Sequence, residues 1–466
     1  MEPLRIGLVG TYAGYFDRSA AGRVWEMSVA KLRELTGKMG LDFCSAKDLI
    51  TNREEAEKVR KEIEDRKIDL LLVQTTTFGS GEIIEVLAGS SPWLGLWAVP
   101  ESRETGTMPL NSLCGVNFYG AVLSTYLKRG GFKFKWFYGN PDQAIFEDSL
   151  LVTLRALNAI KLLRQSRIAN IGGIPGGYYD VLFDQGFFRT KFGVTFFTHE
   201  IGEVVAKANS YDQNQVAAYA EKMAAEVPNR DLKPAHFEKL ARIYLALEDM
   251  VKENNYQAIA VCCWPRIQSI YGVALCSTLG RLNENGIVAA CEGDVPSALS
   301  MLLLNYLNAD QSILMDMSKL DPERNRLMLW HCGVGNPRWA SKRKGAEIRI
   351  MPLMGLPAAY EVMLVPQVIT ITRITGDAKR IFLASGKLVE DPDRVHEGTS
   401  GWLEDLRILD QSVSALDFVN TVMVSGFEHH FPLAKGDLCY ELNEIASWLD
   451  LEPIKPVLYR PYLQRS

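Results

Sequence analysis

The 466-residue chain lacks the features that mark several protein classes. No long apolar run is free of charged residues, so no membrane-spanning helix is expected. Basic residues are not in excess: 51 Lys and Arg stand against 56 Asp and Glu, a formal net charge of −5. A sequence-independent nucleic-acid binder needs a basic surface, and that class is set aside. No two cysteines have CxxC spacing. Cys44, Cys114, Cys262, Cys263, Cys276, Cys291, Cys332 and Cys439 are scattered, mostly in apolar context. They read as reduced thiols rather than a disulfide framework or a zinc site. The loop Gly172 to Tyr178 is rich in glycine but lacks GxGxxG spacing, and no Walker lysine follows. It reads as a tight strand–loop connection, not a phosphate cradle. There is no low-complexity segment. The N-terminus opens directly as a strand, Leu4 to Gly10, with no signal-peptide pattern, so a cytoplasmic location is expected.

What is present is ordinary globular composition, 47% hydrophobic and 23% charged, over a length that calls for two to four domains. The first third alternates strand-like runs (Leu4–Gly10, Leu41–Ala46, Ile68–Thr75, Trp93–Val99) with helical patterns, the mark of a parallel sheet wrapped by helices. A second strand-then-glycine opening, Arg167 to Gly173, starts another such series, with strands near Val194–Thr198, Ala258–Cys263, Ile287–Cys291 and Ile313–Met315. After about residue 335 the runs become short and β-branched (Glu347–Met351, Gln367–Thr372, Ala378–Val389, Thr421–Ser425). The expected fold class is α/β: two doubly wound, Rossmann-like parallel-sheet domains, 1–165 and 166–335, then a β-rich antiparallel domain, 336–466.

Two carboxylates end apolar runs in the second series. One run reads Ile287-Val-Ala-Ala-Cys291-Glu292-Gly293-Asp294, and the other Ser312-Ile-Leu-Met315-Asp316. Between them Pro296 to Leu307 has the composition of a buried helix. Strand, helix, strand in one parallel sheet would set Glu292 and Asp316 side by side at the ligand-binding edge. A carboxylate beside an apolar strand is costly without a compensating charge, and a divalent cation supplies one. Histidine is scarce, six in the chain, yet two are adjacent at His429 and His430 after the apolar run Phe418 to Val424. Two carboxylates and an imidazole suit Mn²⁺, Mg²⁺ or another oxygen-preferring divalent ion. Asp294, just ahead of Pro296, reads first as a helix N-cap. His199, His236 and His396 lie in polar surroundings and receive no role.

This order of domains and site residues resembles the L-fucose/L-arabinose isomerase family of Mn²⁺-dependent aldose–ketose isomerases. Glu292 matches that family's first catalytic glutamate, Asp316 its second carboxylate and His430 its C-terminal histidine ligand. His331, in Leu329-Trp-His-Cys-Gly333, falls where the arabinose branch places a further histidine. The resemblance implies Glu292 and Asp316 as catalytic groups, and Glu292, Asp316 and His430 as metal ligands. It also implies a small-molecule sugar substrate and a homo-oligomer. An aldose becomes a ketose when a base moves a carbon-bound proton while a metal stabilises the ene-diolate. Tyr12, Arg18, Trp264, Arg266, His331 and His429 are the expected substrate contacts. Arg18, Arg103, Arg266 and Arg338 leave a charged sugar open. Two other classes stay open: a cytosolic sugar-binding protein or regulator with two lobes, and a non-isomerising metal-dependent sugar aldolase or epimerase.

Overall fold

The computed structural model describes residues 1–127, 131–308, 310–393 and 396–464. The chain separates into two compact units, Met1–Lys161 and Leu162–Ser466. In the first, strands β1 (Arg5–Gly10), β2 (Asp42–Ser45), β3 (Leu70–Gln74), β4 (Trp93–Ala98) and β5 (Phe134–Tyr138) form a parallel sheet in the order β2-β1-β3-β4-β5. This is a doubly wound order, with helices such as Arg18–Lys38 and Arg53–Asp65 as crossovers. Every residue of β3 and β4 is buried, as parallel strands covered on both faces require.

The second unit holds two sheets. Strands β6 (Arg167–Ile171), β7 (Thr195–His199), β9 (Ala258–Val261) and β10 (Val288–Ala290) form a parallel sheet in the order β10-β9-β6-β7. The two-residue strand β8 (Asn229–Arg230) joins the other sheet instead. That larger mixed sheet contains β11 (Ile313–Asp321), β12 (Arg326–His331), β13 (Ala346–Met351), β14 (Leu356–Met363), β15 (Gln367–Ile374), β16 (Arg380–Val389), β17 (Thr399–Ile408), β18 (Gln411–Ser412), β19 (His430–Lys435) and β20 (Glu452–Pro453). Within it β16-β15-β19-β11-β12-β17 pair antiparallel in turn, and β17 pairs back onto β16. Six strands therefore close into a ring, which removes their free edges. The helix Val295–Asn308 connects the two sheets and packs against strands of both. It is apolar nearly all round, as a helix between two layers must be. No described helix is long and apolar enough to cross a membrane.

Two expectations are corrected. Asp316 does not end a strand beside β10 in the parallel sheet. It lies inside β11, an antiparallel barrel strand that is buried over Ile313–Met315 and reaches solvent at Ser318 and Lys319. The apolar run Ile313–Met315 is only the buried start of that longer strand. Thr421–Ser425 is not a strand but the end of the helix Ala415–Ser425. Ser414 caps it by accepting from the Asp417 N–H at 3.1 Å, and Gly426 ends it in the left-handed region at φ 64°. These end signals outweigh the β-branched content between them.

Candidate metal and active site

The loop after β10 turns sharply. Glu292 adopts φ 59° and Gly293 φ 67°, both left-handed. A glutamate held there carries strain of about 1–2 kcal/mol that the surroundings must hold in place. They do so with neighbouring strand ends. The Gly293 N–H donates to the Val261 carbonyl at 3.0 Å, and Asn170 Nδ2 donates to the Gly293 carbonyl at 3.2 Å. Gly293 cannot carry a side chain, because a Cβ would stand 1.9 Å from the Gly173 carbonyl oxygen. The glycine loop after β6 thus packs the Glu292 loop and fixes where its carboxylate points.

Asp316 and His430 are direct register partners across β11 and β19, so their side chains leave the same face of the barrel. His430 Nε2 lies 3.7 Å from Glu292 Oε2 and 3.9 Å from Asp316 Oδ1. Cis ligands about 2.1–2.5 Å from one ion stand about 3.0–3.5 Å apart, so both carboxylates would have to close on the imidazole to share an ion, whereas ligand atoms of Glu292, His429 and His430 already lie within 4.8 Å of one another. Glu292 Oε2 and Asp316 Oδ1 are buried atoms with no hydrogen-bond partner among the described residues. Buried polar atoms are normally paired, and two orphaned carboxylate oxygens facing one imidazole nitrogen fit a cation. The site's third part is an outer carboxylate. Asp294 Oδ2 lies 2.9 Å from His430 Nδ1, which places the imidazole proton on Nδ1 and leaves the Nε2 lone pair facing Glu292 and Asp316.

Asp294 is fully buried and also caps the helix Val295–Asn308, accepting from the Ser297 N–H at 2.9 Å. The expected cap is there, together with a role the sequence did not reveal. Arg373, equally buried on β15, places Nη1 2.5 Å from Asp294 Oδ2, with Glu428 Oε2 3.4 Å from its Nε. Burial would push the Asp294 carboxyl up, but Arg373 and His430 outweigh it and hold it well below the usual range.

His429 turns to the same site as His430. Its Nε2 lies 3.2 Å from Glu292 Oε2 without hydrogen-bond alignment, and its Nδ1 lies 2.6 Å from Asp180 Oδ2. Burial opposes its charge, yet Glu292 and Asp180 raise it to about 9. Burial likewise pushes Glu292 up, and His429 and His430 more than reverse this. Tyr178 joins His429, at 6.1 Å between ring centroids, to Trp264, at 5.4 Å, so Trp264 reaches the site as the far end of an aromatic wall. His331, at the end of β12, stacks on His430 at 5.9 Å and directs Nε2 to Cys291 Sγ at 3.3 Å.

The structure thus brings Glu292, Asp316, His430, His429 and His331 together. Arg266 is exposed in the first turn of Arg266–Tyr271. Tyr12 and Arg18 belong to the first unit, where the Tyr12 hydroxyl donates to the Phe16 carbonyl at 3.0 Å and the Arg18 guanidinium lies 5.9 Å from the Tyr12 ring. Arg373, Asp180, Tyr178 and Cys291 were missed. Only Arg373 left a trace, a charge inside the alternating run Gln367 to Ile374.

Comparison with known proteins gives consistent relatives. A sulfoquinovose isomerase of Alkalicoccus urumqiensis is 30% identical over 392 residues, 83% of this chain and 86% of that protein. One of Priestia aryabhattai is 27% identical over 408 residues, covering 87% and 89%. One of Clostridium sp. (strain MSTE9) is 28% identical over 453 residues, covering 95% and 97%. No protein-family model matches the chain. Among solved structures, an ABC-transporter solute-binding protein of Agrobacterium vitis, bound with alpha-D-tagatopyranose, covers 64% of this chain and 89% of its own. Its identity is 13% and its TM-score 0.17, which carries no argument.

Proposed function

The chain belongs to the sulfoquinovose isomerase family and interconverts an aldose and a ketose; from this premise we propose that sulfoquinovose, a sugar bearing a sulfonate, is its substrate, and that Glu292, Asp316 and His430 carry the reaction around a divalent ion, Mn²⁺ first among candidates. The observation that supports this site above others is the convergence of two orphaned carboxylate oxygens on one oriented imidazole nitrogen. The likeness to the L-fucose/L-arabinose isomerase family and a homo-oligomeric assembly belong to the same proposal.

Isomerisation moves one carbon-bound proton between C2 and C1 and one hydroxyl proton between O2 and O1. A divalent ion held by these three side chains supplies Lewis-acid polarisation of the carbonyl and offsets charge on the neighbouring oxygen. Glu292 takes the C2 proton of the open-chain aldose on its carboxylate and returns it to C1. Asp316, a quarter exposed, faces the hydroxyls and carries the proton between O2 and O1. His429, fixed by Asp180, keeps positive charge beside Glu292, so the base stays ionised at neutral pH. A cavity of about 530 Å³ on the barrel is lined by Lys319, Trp330 and His396, among others. Trp330 is the register partner of Asp316 on β12, so the cavity adjoins the carboxylate face. A sugar bound by O1 and O2 at Asp316 extends its sulfonate along this face, with Lys319 as the cation that meets it.

The test is conversion of sulfoquinovose to its ketose, followed by NMR, after chelation and again after Mn²⁺ addition, beside L-fucose and L-arabinose. The expected result is metal-dependent turnover that favours the sulfonated sugar. Full turnover after metal removal would overturn the metal reading, and preference for a neutral sugar would overturn the substrate.

A further inference from the structure

A second donor set shares the site. Cys291 Sγ lies 3.3 Å from His331 Nε2 and 3.5 Å from His430 Nε2, and the three residues are at most 4% exposed. Around a tetrahedral ion with Zn–S about 2.3 Å and Zn–N about 2.0–2.1 Å, sulfur and nitrogen ligands stand about 3.5 Å apart. Both sulfur–nitrogen pairs therefore already have ligand spacing, and the three atoms lie within 4.8 Å of one another. Both imidazoles are oriented for it. His430 Nδ1 is held by Asp294 at 2.9 Å and His331 Nδ1 faces Cys332 Sγ at 3.6 Å, so both Nε2 atoms point inward toward the thiol.

We infer that Cys291, His331 and His430 form a soft-metal position for Zn²⁺ or Cd²⁺ that overlaps the catalytic position and excludes its ion. The two positions differ in donor type. Oxygen ligands favour Mn²⁺ and Mg²⁺, whereas thiolate with imidazole favours Zn²⁺ and Cd²⁺. They cannot fill together, because His430 Nε2 has one lone pair. Glu292 Oε2 lies 3.7 Å from that nitrogen, outside the Cys291–His331–His430 group, and would move in to supply the fourth tetrahedral position. A shell closed by Cys291, His331, His430 and Glu292 leaves no place for sugar oxygens and removes the base. Binding releases the Cys291 thiol proton to solvent and changes no oxidation state. Zinc is thereby a competitive inhibitor with respect to the catalytic ion. The inhibition arm rests on the proposed function, whereas the binding arm needs no sugar.

The experiment titrates the chelated full chain, loaded with Mn²⁺, with Cd²⁺. Thiolate-to-metal charge-transfer absorption reports the soft site, and electron paramagnetic resonance reports released Mn²⁺. The wild type is expected to gain the absorption as it loses Mn²⁺, one ion for one. Cys291→Ser, nearly isosteric, should lose the absorption, and its Zn²⁺ inhibition is read against the variant's own uninhibited turnover. Half-inhibition by Zn²⁺ should then need at least about tenfold more ion, the lower end of what disturbing even an outer partner of a metal costs. An unchanged absorption or unchanged zinc inhibition in Cys291→Ser would overturn the inference. If that variant loses its circular dichroism, the wild type alone decides: Cd²⁺ and Mn²⁺ bound together refute the shared nitrogen. Failure of all tested sugars leaves both spectroscopic readouts intact. Mn²⁺-dependent turnover without any Cd²⁺ band removes this inference and leaves the isomerase reading standing.

Discussion

Replacing Asp294 with asparagine tests whether an outer carboxylate orients the site. The side chain is fully buried and serves four donors: the Ser297 N–H at 2.9 Å, Ser297 Oγ at 2.8 Å, Arg373 Nη1 at 2.5 Å and His430 Nδ1 at 2.9 Å. Asparagine caps a helix as well as aspartate does, so the start of Val295–Asn308 should survive. What is lost is charge. Removing one member of a buried ion pair costs about 3–5 kcal/mol, because the partner charge is left behind. Glu428 remains 3.4 Å from Arg373 Nε and shares that charge, which argues for the lower end, about 3 kcal/mol. His430 loses the acceptor that holds its tautomer, and outer-partner losses of this kind weaken metal affinity by about 10–100-fold. The assays are denaturant unfolding of the chelated chain and Mn²⁺ binding followed by electron paramagnetic resonance. Both effects should appear together, and saturating Mn²⁺ should restore most of the turnover. Stability within about 1 kcal/mol of wild type, with Mn²⁺ affinity unchanged, would refute the reasoning, since neither the ion pair nor the orientation would then matter.

Glu292→Gln should keep the fold and lose about 10²–10⁴ in turnover at saturating Mn²⁺, because the amide cannot accept a proton; wild-type rates with metal bound would transfer the role of base to Asp316. Gly293→Ala would drive a Cβ to 1.9 Å from the Gly173 oxygen at φ 67°, so a loss of at least about 2 kcal/mol and of turnover is expected by thermal unfolding and NMR assay. His429 has a folded-state pKa of about 9 against 6.5. Its contribution to stability is therefore full below about pH 6.5 and lost as pH rises through about 9. The melting temperature of the chelated chain should fall across that window, and less so in Asp180→Asn; a flat profile would contradict the His429–Asp180 pair. Lys319→Met should raise KM for sulfoquinovose while leaving that for any neutral aldose nearly unchanged, and an equal effect on both would remove the sulfonate assignment.

What was legible in the sequence was local. The apolar runs of β1, β3, β4 and β10 end in glycine or acidic residues within about five positions, and a strand, its exit loop and the next helix can be read from that stretch alone. The helix Ala415–Ser425 was misread because Phe418, Val419, Thr421, Val422 and Val424 have strand-like composition, while the deciding signals, Ser414 and Gly426, stand outside the run. Composition inside an element competed with end chemistry, and the ends prevailed.

The barrel was harder to read because register is a property of two strands. Asp316 was recognised as a carboxylate ending an apolar run, but its position opposite His430 depends on how β11 and β19 align, and no window around either residue contains that information. The supports were hidden for a related reason. Arg373 stands 79 residues from Asp294, and His430 stands 136 from it. A buried guanidinium is unfavourable in isolation and acceptable only once its carboxylates are known, so it reads from the sequence as an error in the strand pattern. The same charge logic runs outward through the site. Arg373 allows Asp294 to stay ionised, Asp294 directs the His430 lone pair, and that lone pair faces two carboxylates left without donors. Each link in this chain of compensations joins residues far apart in sequence, so no local window contains any of it.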